Sequence, residues 1–275
     1  MFLSKLKQVY SENREKNKLF IRSLLKEVVQ YYILNFIFTS TWGKFLLFKG
    51  GTALRFCFKL PRLSEDLDFD VEAGRDFNVE DFSRDLKDYF TKRLNYNDLS
   101  VKIANNERTI YLKFPILKEI GLSVGQSETN ILHVRIDLSQ NNRTYNNVEV
   151  TAKSYENLSF VMRRYSVEDL FAGKIGAILT REKIEGKEKV ARFKGRDYYD
   201  LIWYLERGVR PNWKEVEAQT GLSKAKSIKL INQKVKKVTK ETIEDDLTPF
   251  IEEKESVVSF AGNFRELARE YFKNL

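Results

Sequence analysis

Between Asp66 and Val71 the chain reads DLDFDV, with acidic and apolar residues taking turns. Side chains of a strand alternate between its two faces, so a strand here sends Leu67 and Phe69 into a core and gathers Asp66, Asp68 and Asp70 on the opposite side. Like charges side by side repel, and a strand that needs only a solvated face seldom carries them. A divalent cation removes the repulsion, since Mg²⁺ is usually held by one or two carboxylates with substrate phosphates and water. In phosphoryl-type transfer such cations stabilise both the attacking and the leaving oxygen of an in-line displacement. The pattern alone keeps two other readings open: Asp68 with Asp70 as the working pair, and an acidic, exposed edge strand that binds nothing.

The residues just upstream sharpen this. A short apolar run, Phe45 to Phe48, ends at Gly50-Gly51, and TALRFCFKL follows until Pro61 closes it. Strand, glycine turn and short helix fit, with Thr52 as the helix cap. Two glycines let the backbone come close to a ligand because no Cβ stands in the way. The first amides of the helix, with the Thr52 hydroxyl, then suit phosphate oxygens. Taken alone, the same pattern also describes a plain structural turn.

Residues 11 to 42 read as helix, and their most apolar part, VVQYYILNFIF from Val28 to Phe38, is too short to span a bilayer and reads as a buried helix. Asn78 to Leu94 forms an amphipathic pattern, with Phe82, Leu86, Tyr89 and Phe90 on one face. Strand-like runs follow at Leu99 to Ala104, Thr109 to Phe114, Ile131 to Leu138 and Asn147 to Ala152. From Ser166 the character changes to helices: a segment capped by Ser166 with Asp169 three residues on, then Asp197 to Leu205, Ser223 to Lys237, and two more from Thr242. No strand is expected there. The fold class is α+β, a mixed sheet flanked by helices followed by an α-helical C-terminal domain, divided as residues 1–160 and 161–275.

Charge is unevenly spread. Residues 181 to 240 hold 17 Lys+Arg against 8 Asp+Glu, an excess of 9 that equals the whole net charge of +9. A localised basic excess marks a surface for a polyanion, or else a solvated helical face. Cys57, the single cysteine, excludes an intramolecular disulfide and suits a reducing, cytoplasmic setting. Met1 to Glu15 lacks the apolar core of a secretory signal. One histidine, His133, disfavours zinc clusters and most histidine-based acid–base schemes, and no P-loop pattern occurs.

Gly50-Gly51 followed after 14 residues by D-L-D-F resembles the signature of the DNA-polymerase-β-like nucleotidyltransferase superfamily. More narrowly, KGGTALR joined to RLSEDLDFD resembles the AbiEii/AbiGii-type toxin nucleotidyltransferases, with Lys174 in DLFAGKIGAI and the RD-x-x-D of KGRDYYDL as matches to that family's later motifs. The resemblance implies a nucleotidyltransferase-like sheet in which Asp66 and Asp68 hold Mg²⁺ or Mn²⁺. Gly50, Gly51 and Thr52 then grip the NTP phosphates, with Ser64 and Lys174 in the same nucleotide-binding set. It makes Asp197 necessary for activity, and Asp137 in ILHVRIDLS is the candidate third metal ligand. Asp200 is the weaker member of the later motif. Either aspartate can instead pair with Arg196 or Lys194, and Lys174 can be a snorkelling surface lysine.

The implied activity is transfer of a nucleotide from an NTP to RNA, the tRNA 3′ end being the expected acceptor, with a block of translation. A cognate antitoxin is a candidate partner and no membrane is involved. The alternatives are a nucleotidyltransferase acting on a protein or small molecule, and a non-catalytic RNA-binding module.

Overall fold

A computed structural model describes residues 2–74, 76–122, 129–140, 146–185, 188–191 and 193–275, without the side chains of 182–191 and 274. The chain forms two compact units. One comprises Met1–Lys59, Leu63–Asn141 and Glu149–Arg164; the other comprises Leu60–Arg62, Asn142–Val148 and Tyr165–Leu275.

In the first unit the N-terminal helical stretch is two helices, α1 (Phe2–Asn13) and α2 (Lys18–Thr39), rather than one. The break comes where Asn17 caps α2, its side chain accepting from the Leu19 amide at 2.8 Å; a capped start is worth about 1 kcal/mol. α2 carries the apolar VVQYYILNFIF stretch, and among the described residues no helix is long and apolar enough to cross a membrane. The buried Gln30 in it donates to the Ser64 carbonyl at 3.0 Å, which satisfies its amide nitrogen.

Next come β1 (Leu46–Lys49), α3 (Gly50–Phe58), β2 (Asp66–Val71) and α4 (Val79–Asp88), whose end winds into a π-turn over Tyr89–Arg93. Five strands complete the sheet: β3 (Ser100–Ala104), β4 (Thr109–Phe114), β5 (Leu132–Gln140), β6 (Val148–Tyr155) and β7 (Leu158–Tyr165). The order is β3-β4-β5-β2-β1-β7-β6. β2 runs antiparallel to β1 and parallel to β5, so it is an interior strand, which removes the edge-strand reading of its acidic face.

One face of the sheet is core. Leu67, Phe69, Ile110, Leu112, Val134 and Ile136 are all buried. Phe2 on α1 packs edge-on against Tyr32 and Phe90 with centroids 5.1 and 5.3 Å away, and Phe69 stacks on Phe48 at 5.1 Å. Each such ring contributes about 1.5–3 kcal/mol by burial, a gain available only on this face. The intervening residues of β2 and β5 are polar and, apart from the buried Asp70, at least partly exposed; they form the other face.

The second unit contains α5 (Val167–Thr180), β8 (Glu182–Glu185), β9 (Glu188–Ala191), α6 (Gly195–Glu206), α7 (Trp213–Thr220), α8 (Lys224–Lys237), α9 (Lys240–Leu247) and α10 (Lys254–Tyr271). Ser166 caps α5 as expected, accepting from the Asp169 amide at 3.2 Å. The antiparallel β8–β9 hairpin corrects the expectation of a purely helical region. Its sequences, EKIE and EKVA, are too charged to read as strands, and hairpin pairing supplies what hydrophobic alternation does not. α8 buries Ser227, Ile231 and Val235 and leaves Lys224, Lys226, Lys229, Lys236 and Lys237 exposed, while Lys234 Nζ caps the end of α5 at the carbonyls of Ile178 and Leu179, 2.7 and 2.9 Å away.

Candidate active site

The turn between β1 and α3 is built around Gly50, whose φ of +76° favours glycine. A Cβ there would stand 2.1 Å from Asp68 Oδ2, so the carboxylate lies directly against the glycine. The residue before the helix, Lys49, makes no side-chain cap with it. Thr52 is not the cap expected from sequence. It sits inside α3, fully buried, and its hydroxyl donates to the Asp66 carbonyl. That bond ties the amide end of α3 to the start of β2, so the glycine turn and the carboxylates hold a fixed relation. Ser64 is buried just before β2.

On β2, Asp66, Asp68 and Asp70 share the polar face but not the same surroundings. Asp70 is almost fully buried and held by Lys49 Nζ and by Ser139 Oγ at 2.9 Å, while Lys49 Nζ also reaches Ser139 at 2.7 Å. Its charge is spent locally. Asp66 and Asp68 are only partly buried. In the parallel register with β5, Asp68 stands opposite Asp137 and Asp66 opposite Arg135. The Arg135 guanidinium lies between the carboxylates: Nη2 is 2.5 Å from Asp66 Oδ2, and Nε is 3.0 Å from Asp137 Oδ2 without hydrogen-bond alignment. Asp137 also accepts from Thr109 Oγ1 at 3.0 Å. Burial works against the Arg135 charge, but Asp66 and Asp137 more than offset it and hold its pKa above the ordinary arginine value.

The later motif residues meet in the second unit. Lys174 Nζ on α5 lies 2.9 Å from Asp197 Oδ1 and 2.7 Å from Asp200 Oδ2, both on α6. Arg181 also pairs with Asp197, and Arg62 grips Asp200 through two 2.7 Å hydrogen bonds from Nε and Nη2. Lys174 is thus a largely buried network member and not a snorkelling surface residue. Burial raises the carboxyl pKa values, but the cations dominate: Lys174 and Arg181 pull Asp197 below its ordinary value, and Arg62 and Lys174 do the same to Asp200. Burial opposes the Lys174 charge, and the two aspartates hold its pKa above the ordinary lysine value nonetheless. Arg196 stacks its guanidinium over Phe250, 4.6 Å from the ring centre.

Comparison with known proteins supplies the family. The model of the nucleotidyl transferase AbiEii toxin, type IV toxin–antitoxin system, matches residues 33–273. The chain belongs to the AbiEii nucleotidyltransferase toxin family. No curated protein matches it. Two solved structures are similar at 17% identity: a putative nucleotidyltransferase from H. pylori, over 91% of this chain and 96% of that one with a TM-score of 0.46, and JHP933 from Helicobacter pylori, over 91% and 93% with a TM-score of 0.45.

Nucleotidyltransferases generally work with an NTP and a divalent metal, and the residues of this AbiEii-family chain suit one. The donor set is all carboxylate oxygen, the class preferred by Mg²⁺ and Mn²⁺, and Asp68 lies against the glycine turn where substrate phosphates would share a cation. Among the described residues no group of three or more His, Cys, Asp or Glu is arranged around a common point. The arrangement therefore fits one or two protein carboxylates plus substrate phosphate better than a three-ligand cage.

Sequence reasoning missed Arg135, Arg62 and Arg181. Arg135 carries a readable signal, since R-I-D on β5 repeats the alternation of β2. Arg62 carries none, because its partner Asp200 is 138 residues away.

Proposed function

We propose that this chain transfers a nucleotide from an NTP to the 3′ end of RNA, with tRNA as the acceptor and arrested translation as the result. The observation that carries the reading is the contact of Asp68 with Gly50, which puts partly exposed carboxylates against the amide end of α3. Amides at a helix N-terminus suit phosphate oxygens, so Gly50, Gly51 and Thr52 form the phosphate-holding turn, with Ser64 supporting it through the backbone. Asp66 and Asp68 would hold the cation, with Asp137, opposite Asp68 on β5, as the candidate further carboxylate. The bound cation supplies charge neutralisation at the reacting phosphate. The acceptor's 3′ oxygen bonds to the α-phosphorus, the bond to the β,γ-diphosphate breaks, pyrophosphate leaves with the electron pair, and the hydroxyl proton passes to solvent. In this reading Lys174 contributes positive charge to nucleotide binding, and Asp197, its ion-pair partner, is required for activity. The exposed lysines of α8 favour a polyanionic acceptor, and the toxin family brings a cognate antitoxin as partner.

Purified protein with Mg²⁺, each of the four labelled NTPs and total RNA tests this reading. A discrete labelled RNA band is expected, lost in Asp66→Ala. Label appearing only in protein or small molecules moves the acceptor to another class. Salt-sensitive RNA binding with no transfer at all makes the chain a binding module.

A further inference from the structure

The polar face of the sheet continues past the carboxylates in register. Across β2, β5, β4 and β3 one row reads Asp68, Asp137, Thr109, Ala104; the next reads Asp66, Arg135, Tyr111, Lys102; and beyond it on β5, β4 and β3 lie His133, Lys113 and Ser100. All lie opposite the buried Ile110, Leu112, Val134 and Ile136, on the face away from the core. Exposure rises outward: Arg135, Tyr111 and Lys113 are half-buried, and Lys102, His133 and Ser100 are exposed. Charge changes sign in the same direction. Acid lies at β2, and β4 and β3 carry lysine whose register neighbours, Tyr111, His133 and Ser100, include no acid.

We propose that this face is the path of the RNA's single-stranded 3′ segment, an inference that rests on RNA being the acceptor. The acceptor hydroxyl has to reach the carboxylate row, so the phosphates behind it must leave across one neighbouring surface. Strands lie about 4.8 Å apart, so the step from Arg135 to Lys102 spans about 10 Å. Lys102 and Lys113 answer the backbone charge, and the Tyr111 ring between Arg135 and Lys102 gives one base a stacking platform. Cationic track plus aromatic is the usual equipment for single strands, whose bases are free to stack.

The test uses the full chain and a fluorescent six-nucleotide single-stranded RNA with a free 3′ hydroxyl, read by polarisation across a salt series. Lys102→Glu with Lys113→Glu should weaken binding at least tenfold. It should also make the slope of log K against log salt shallower by about 1.4, two phosphate contacts at about 0.7 each. Tyr111→Ala should weaken binding about tenfold and Tyr111→Phe should restore it. Lys102→Gln with Lys113→Gln, neutral and milder, guards against a folding defect, and each variant's melting temperature should match the wild type. Unchanged oligonucleotide binding in the Lys102/Lys113 variants overturns the path even while the wild type still labels RNA. If the wild type labels no RNA at all, the path and the RNA reading fall together.

Discussion

The two charged clusters of this chain use the same residue types in opposite settings. On the sheet, the side chains of Asp66, Asp137 and Arg135 are 27%, 31% and 38% exposed; in the helical unit, Asp200, Arg62, Asp197 and Lys174 are 0%, 3%, 8% and 12% exposed. Solvent screens the first group, so its ion pairs add little to stability and can be exchanged for a ligand. The second group is locked by desolvation: its charges are tolerable only because each has a partner, and removing one leaves another stranded. The comparison teaches that the same charged residue types within one chain divide between a cluster open to exchange and a network fixed by its own pairs.

The largest expected effect breaks the frame. Asp200→Ala takes from Arg62 its bidentate carboxylate and from Lys174 one of its two aspartates, and should cost about 3–5 kcal/mol of stability, measured by urea unfolding; a loss below about 1 kcal/mol would make the network dispensable. Next, Asp68→Asn should lower nucleotide transfer by about 10²–10³-fold while shifting unfolding stability by less than about 0.5 kcal/mol, so activity and stability separate in opposite ways at the two clusters. Gly50→Ala falls between them: positive φ and the contact with Asp68 predict a loss of about 1–3 kcal/mol together with reduced transfer, unless the Asp68 carboxylate swings away.

The pH dependence separates the clusters more gently. The folded pKa values of Asp197 and Asp200 lie below the ordinary aspartate value, so their contribution is fully present above about pH 4 and is lost as pH falls through the depressed values. Lys174 is raised, so its contribution is complete below about pH 10 and is lost as pH rises through its higher folded value. A stability plateau through neutral pH with an acid limb is expected, and Asp197→Asn should flatten part of that limb in pH-dependent melting curves.

Much of the sheet site was legible because period-two alternation has a single structural solution: DLDFDV had to be a strand with Leu67 and Phe69 inside, and it is. The Ser166 cap was legible for the same reason, a local bond between residues three apart. Thr52 was misassigned because a threonine after a glycine pair suits a cap equally well, and only the fold reveals that its hydroxyl reaches Asp66. The helix α7, WKEVEAQT, was overlooked because eight residues with one buried valine give little periodicity. Arg135 between two carboxylates, and Arg62 on Asp200, depend on chain segments meeting across long separations, which no local pattern encodes.

The central claim is that Asp66 and Asp68 share a divalent cation beside the Gly50 turn. Mn²⁺ binding followed by electron paramagnetic resonance, with a non-hydrolysable NTP present, tests it most directly. Wild-type protein should bind Mn²⁺ more tightly with the nucleotide than without it, and Asp66→Asn and Asp68→Asn should each abolish that gain while Asp70→Asn keeps it. Equal Mn²⁺ binding by all four proteins would contradict the account.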